Sequence, residues 1–172
     1  MAEELTRWTV RLALAFYIGR IALDLAPRSA SARRERLSRG LWTLGCLVLW
    51  LHVGCAFQFY HHWSHRAAFE STARETAETM GLAWGGGLYF NYAFMLLWGG
   101  DAAWWWWSPT SYRQRSRFIS YTVHAYLAFI AFNATVVFES GPVRYAGLGA
   151  LGLVVFLAAA VGGRFPPGGR RR

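Results

Sequence analysis

The chain has no lysine. All 18 of its basic residues are arginines, set against 9 acidic ones, for a net charge of +9 over 172 residues. A lysine-free chain rich in Arg, Ala and Gly is what a GC-rich genome encodes readily, so this absence says little about function. Charge is scarce altogether. Charged residues make up 16% of the chain, whereas a soluble domain carries about 25%. Cysteine is scarce too. Cys46 and Cys55 lie in one predicted helix, and at about 3.6 residues per turn their spacing points them to opposite faces, where they cannot bond to each other. The redox compartment is therefore left open. A Gly-rich phosphate loop, a Gly-x-Ser-x-Gly elbow and a Cys-x-x-Cys pair are all missing, which argues against nucleotide hydrolysis and serine-type acyl transfer. The opening Met-Ala-Glu-Glu lacks the basic start of a secretory signal, so the first segment is expected to stay with the mature protein.

What is present is apolar length. Hydrophobic residues make up 55% of the chain and aromatics 17%. Five segments, residues 8–26, 41–63, 81–98, 118–138 and 143–161, are long enough or nearly long enough to cross a bilayer. The expected fold is an all-α polytopic transmembrane helix bundle with five spans, or with four spans plus an N-terminal interfacial helix. One domain covers residues 1–162, followed by a disordered Arg-rich cytoplasmic tail at 163–172. The first segment is the weakest, because Arg11, Arg20 and Asp24 interrupt it. Arg20 and Asp24 are four apart and can pair on one helical face. A helix lying in the membrane surface is the competing reading for this segment.

Charge sets the expected topology. The loop at 27–40, the loop at 108–117 and the tail are rich in arginine and should face the cytoplasm. The loops after the second and fourth segments are near neutral and should face outward. The implied location is a bacterial inner membrane, with the bilayer as first partner. After the second segment, Arg66, Glu70, Arg74 and Glu78 alternate in sign every four residues. That spacing predicts a salt-bridged helix that continues beyond the membrane or bends near Ser64. Trp104 to Trp107 are expected to form an interfacial belt. Gly85–Gly87, and the small residues Ala146, Gly147, Gly149, Ala150 and Gly152, should let helices approach closely. Nucleic-acid binding is a poor reading of the charge, because the arginines sit in short loops beside the spans.

Two histidine groups could carry chemistry. His52 and His124 sit in the second and fourth segments. By helical rise they should differ in depth by only several ångströms, which would suit the two axial ligands of a haem b. His61, His62 and His65 cluster at the outer end of the second segment. With Glu139 they could hold zinc, copper or iron. Hydrogen bonding within helix interfaces is the plain alternative for each. Asn91, Tyr92, Asn133 and Thr135, with His124, could form one polar interior network. Asp101 closes the third segment, where Arg113, Arg115 or Arg117 could neutralise it; a proton-relay role is the alternative.

These features suggest a small integral membrane protein acting as an accessory or assembly subunit of a larger membrane complex, associating with other membrane subunits or with itself. Two other readings are a haem- or metal-binding redox subunit and a small transporter or channel protomer. Whether the chain is an enzyme is left open.

Overall fold

The computed structural model describes residues 1–25, 31–138 and 140–162. The described chain is all-α, without a strand. Glu139 and the expected tail at 163–172 lie outside the described residues. Helix α1 covers Ala2–Leu25 and α2 covers Ala32–Ala56. Then come α3 (His65–Met80), α4 (Gly87–Trp107), α5 (Pro109–Gln114), α6 (Arg117–Phe132) and α7 (Gly141–Gly162). Single π-helical turns, Phe57–His61 and Asn133–Val137, extend α2 and α6. The extended helices at Ala32–His61 and Arg117–Val137 are long and apolar enough to cross a membrane.

Three boundaries differ from those predicted. Helix α2 begins nine residues before the segment at 41–63, inside the expected cytoplasmic loop. The Ser31 side chain caps it by accepting from the Arg34 amide at 3.2 Å, and the Ala-Arg-Arg-Glu-Arg-Leu stretch that follows consists of strong helix formers. Helix α4 starts at Gly87 rather than Gly81, because Gly81 ends α3 in the left-handed region at φ 73°. Helix α4 then runs through Gly99-Gly100 to Trp107. Its buried face, Phe94, Trp98, Ala102 and Trp105, recurs at helical spacing and holds the helix against the core past the two glycines.

The four tryptophans therefore occupy one helical turn and a little more, and they point in different directions. Trp105 is buried, whereas Trp107 is 90% exposed. Trp106 donates to the Thr43 hydroxyl at 2.8 Å, with the Arg39 guanidinium over its ring.

The expected bend near Ser64 is present. His62 and Trp63 both adopt positive φ, an uncommon conformation for non-glycine residues. Ser64 then caps α3 by accepting from the Ala67 amide. On α3, Arg66 pairs with Glu70 at 2.8 Å, while Ala68 and Thr76 form its buried side.

The core joins α1, α2, α4 and α6. Tyr17, Trp42 and Trp98 lie at its centre, with ring centroids 5.0–5.9 Å apart. Glycine makes this packing possible at Gly45, where an added Cβ would sit 2.7 Å from the Trp98 ring. Close approach also occurs at Gly85, against Phe69, and at Gly147, against Thr135. Gly149 and Gly152 meet nothing within 4 Å, so the small-residue run of α7 acts through Gly147 and not through those two. Cys46 and Cys55 are both buried and free.

Much of the large apolar surface faces outward. On α2, Leu44, Leu47 and Leu51 form an exposed stripe; on α6, Phe118, Tyr121 and Phe129 do the same. Only 28% of the apolar window of the extended α2 is buried, and 17% of that of the extended α6.

Gly45→Ala is expected to lower stability by about 1–3 kcal/mol through overpacking against Trp98. Gly54→Ala, with nothing within 4 Å of the new methyl, should be neutral or stabilising by up to about 1 kcal/mol. Thermal unfolding of the two purified variants beside the parent protein checks both signs.

Candidate functional site

The structure gathers polar groups at two levels of the bundle. Trp42 and Asp101 mark one level; His52 and Asn91, each ten residues away along α2 and α4, mark the other. At about 1.5 Å per residue the two levels are roughly 15 Å apart.

The first level is built on the Asp101 carboxylate, which is 5% exposed. Trp42 Nε1 donates to Oδ2 at 2.9 Å, and the Tyr112 hydroxyl donates to the same oxygen at 2.8 Å. Arg115 pairs with Oδ1. Three donors from three parts of the chain thus satisfy one buried anion, as burial of a charge demands. Helix α5 makes this possible. Pro109 at its start and Ser108 before it turn the chain back, so that Tyr112 stacks on Trp105 with ring centroids 4.6 Å apart and planes 9° off parallel. Burial and the adjoining carboxylate push the Tyr112 phenol up, which keeps it protonated and donating. Arg20 approaches from α1, 4.9 Å from the Trp105 ring centroid, and pairs with Asp24 as their spacing predicted. Of the three arginines considered for Asp101, Arg115 is the partner; Arg113 instead bonds Glu35 at 2.7 Å.

The second level is a cavity of 470 Å³ beneath α3. Six polar residues line it: His52, Thr72, Glu75, Thr76, Asn91 and Asn133. Its walls are otherwise apolar and aromatic. The π-helical turn that begins at Asn133 borders it.

The histidine pair does not meet. His124 packs its ring 5.4 Å from that of Trp42, and the Tyr17 hydroxyl donates to the His124 carbonyl at 3.2 Å. His52 stands at the other level, with Nδ1 3.0 Å from the Thr6 carbonyl and 3.4 Å from the Thr9 hydroxyl. Each histidine thus has its own surroundings, and no contact between the two supports the expected bis-histidine pair. Residue counting missed the offset because the register between helices is set by the Tyr17–Trp42–His124 contacts, which the sequence does not display.

The outer cluster is dispersed as well. His61 ends the π-helical turn with its ring against Phe57. His62 is left-handed, and His65 opens α3, 3.1 Å from the Tyr92 hydroxyl and 3.4 Å from that of Tyr89. The i, i+4 geometry expected of His61 and His65 needs one continuous helix, and the chain breaks between them. Among the described residues, no three His, Cys, Asp or Glu side chains come together as a metal site.

The expected single polar network is divided. Asn91 and Asn133 share the cavity with His52. Tyr92 serves His65. The Thr135 hydroxyl donates to its own Ala131 carbonyl at 2.8 Å, and Asp101 belongs to the other level. No family model, curated protein or solved structure matches the chain.

Asp101→Asn should lower stability by about 3–5 kcal/mol, because it leaves Arg115 buried without its counter-charge. The double variant Asp101→Leu with Arg115→Leu should cost clearly less than the sum of the two single changes. Chemical unfolding of the parent, Asp101→Leu, Arg115→Leu and the double variant measures the coupling, and that of Asp101→Asn checks the single loss.

Proposed function

We propose that the chain is an integral membrane protein, a helix bundle in which α1 shares the core with the spans, and that it serves as an accessory or assembly subunit of a larger membrane complex. The observation that carries the membrane reading is the outward placement of large apolar side chains on α2 and α6, which also pass the length and hydropathy requirements of a span. A core helix in water would bury that surface; lipid rewards its exposure. Arg20 and Asp101 instead turn inward, as charged groups must where no water is available.

Orientation follows from arginine. Arg33, Arg34, Arg36 and Arg39 at the start of α2, with Arg113 and Arg115 in and beside α5, gather at the Asp101 end. That end is placed in the cytoplasm, and α3 on the outer face.

The accessory role is favoured by the construction of the Asp101 end. Trp42, Trp98, Trp105 and Tyr112 pack around the satisfied carboxylate, so the centre reads as a fixed brace between helices. Exposed aromatics at Trp50, Trp84 and Tyr89 give neighbouring helices large rigid surfaces. The cavity beneath α3 supports a second reading, a transporter protomer with half of a path at its outer end. That path would have to open through the Trp42–Trp98 layer. The described histidine contacts lend the redox reading no support.

Carbonate-washed membranes should retain the protein. A cysteine placed at Glu70 should react with an impermeant maleimide from outside intact cells, and one at Arg113 only after lysis, in a Cys46→Ala, Cys55→Ala background. Recovery in the soluble fraction would overturn the membrane reading. For the accessory role, solubilisation in mild detergent should bring a stoichiometric membrane partner with the chain; a lone particle that catalyses flux in liposomes would favour the transporter reading.

A further inference from the structure

We infer that the cavity beneath α3 is a binding site for a small protonated amine with an apolar body. Once the protein's own bonds are made, most of the hydrogen-bonding capacity left in the lining is that of acceptors.

His52 Nδ1 lies against the Thr6 carbonyl at 3.0 Å. A carbonyl can only accept, so Nδ1 carries the proton. In the neutral ring Nε2 is then an acceptor. The Thr72 and Thr76 hydroxyls donate to the carbonyls one turn back, at 3.0 and 2.8 Å, which leaves lone pairs on their oxygens. The Asn133 amide nitrogen donates to the Phe129 carbonyl at 2.8 Å, which leaves Oδ1. Glu75 accepts weakly from Ser71 at 3.4 Å through one oxygen, which leaves the other. Five of the six polar lining groups therefore offer acceptors, and one of them is anionic. Asn91 and Asn133, whose amide nitrogen keeps a second N–H, are the groups in the lining able to offer both kinds of bond.

The charge of the lining agrees. Among the described residues, no arginine lines this cavity. Four of the nine remaining lining residues are aromatic, Trp84, Phe90, Phe129 and Phe138, and each also has an exposed side, so the cavity is open at its wall. Trp84 and Phe90 stand edge to face, with centroids 6.1 Å apart. Ring faces favour a cation and also cover an apolar body. An anion or a neutral acceptor would find few donors here. A donor-bearing cation finds a carboxylate, four neutral acceptors and aromatic walls. The volume, 470 Å³, falls within the range of about 300–1,000 Å³ typical of small-molecule pockets.

The site also has a way in. Glu75, Met80 and Trp84 are exposed, so α3 and the segment that follows it form a rim and not a seal. The ammonium group would rest between Glu75 and the threonine oxygens, and its body would extend along the phenylalanines toward α6.

The test uses the full-length protein in detergent micelles, with 2-phenylethylammonium as the probe and 3-phenylpropionate as its anionic counterpart. Calorimetric titration should show saturable binding of the amine and none of the carboxylate. Glu75→Gln, an exposed position whose change leaves the fold alone, should weaken the amine about tenfold, equivalent to about 1.4 kcal/mol. Asn133→Leu should weaken it further. Phenethyltrimethylammonium, which keeps the charge but has no N–H, should bind more weakly than the primary amine. The inference fails if the amine does not bind at millimolar concentration, if the carboxylate binds equally well, if the quaternary probe matches the amine, or if Glu75→Gln leaves the affinity unchanged. Each of these outcomes is independent of whether the chain has a membrane partner.

Discussion

A single buried carboxylate organises one end of this molecule. Asp101 could not remain charged at 5% exposure without donors, and it draws them from α2, α5 and the turn before α6. Satisfying it brings Trp42 against α4, folds α5 back onto Trp105 and fixes where α6 begins. The aromatic layer of Tyr17, Trp42 and Trp98 then follows from that alignment, and with it the register of α1. The brace is local in sequence on one side and distant on the other, so it ties the first half of the chain to the second.

Polarity has been separated into two zones with different roles. Around Asp101 the carboxylate itself is satisfied and paired with Arg115, although Trp105 Nε1 and His124 Nδ1 nearby are buried without a hydrogen-bond partner among the described residues. Beneath α3, internal bonds consume the threonine hydroxyl donors and leave acceptors facing a cavity. Between the zones lies a layer of indole and phenol rings. A helix bundle with one sealed end and one receptive end is asymmetric along its axis, although its helices are built from similar residues.

Much of this was legible from the residues alone. Apolar length gave the helices, the spacing of Arg20 and Asp24 gave their pair, and the alternating charges of Arg66 and Glu70 gave an exposed helix face. The choice of an arginine partner for Asp101 was narrowed to three candidates, one of which it has. What could not be read was register. Whether His52 stands opposite His124 depends on how far two helices slide past each other, and that is decided by shape: the Trp98 ring over Gly45, and the Tyr17 hydroxyl on the His124 carbonyl. The His61–His65 spacing misled for a related reason. Helical periodicity holds only while the helix lasts, and His62 and Trp63 leave it. Their left-handed geometry has no glycine to announce it.

The partners of Asp101 straddle it in chain order. Trp42 precedes it by 59 residues, whereas Tyr112 and Arg115 follow within 14. A polypeptide emerging from its N-terminus therefore exposes this carboxylate to a lone indole until α5 has been made. The first four helices can gather beforehand, with Arg20 of α1 nearby, but they lack Arg115, which pairs with the carboxylate directly. Synthesis itself thus sets the moment of closure, a latch that engages only once the chain has passed residue 115.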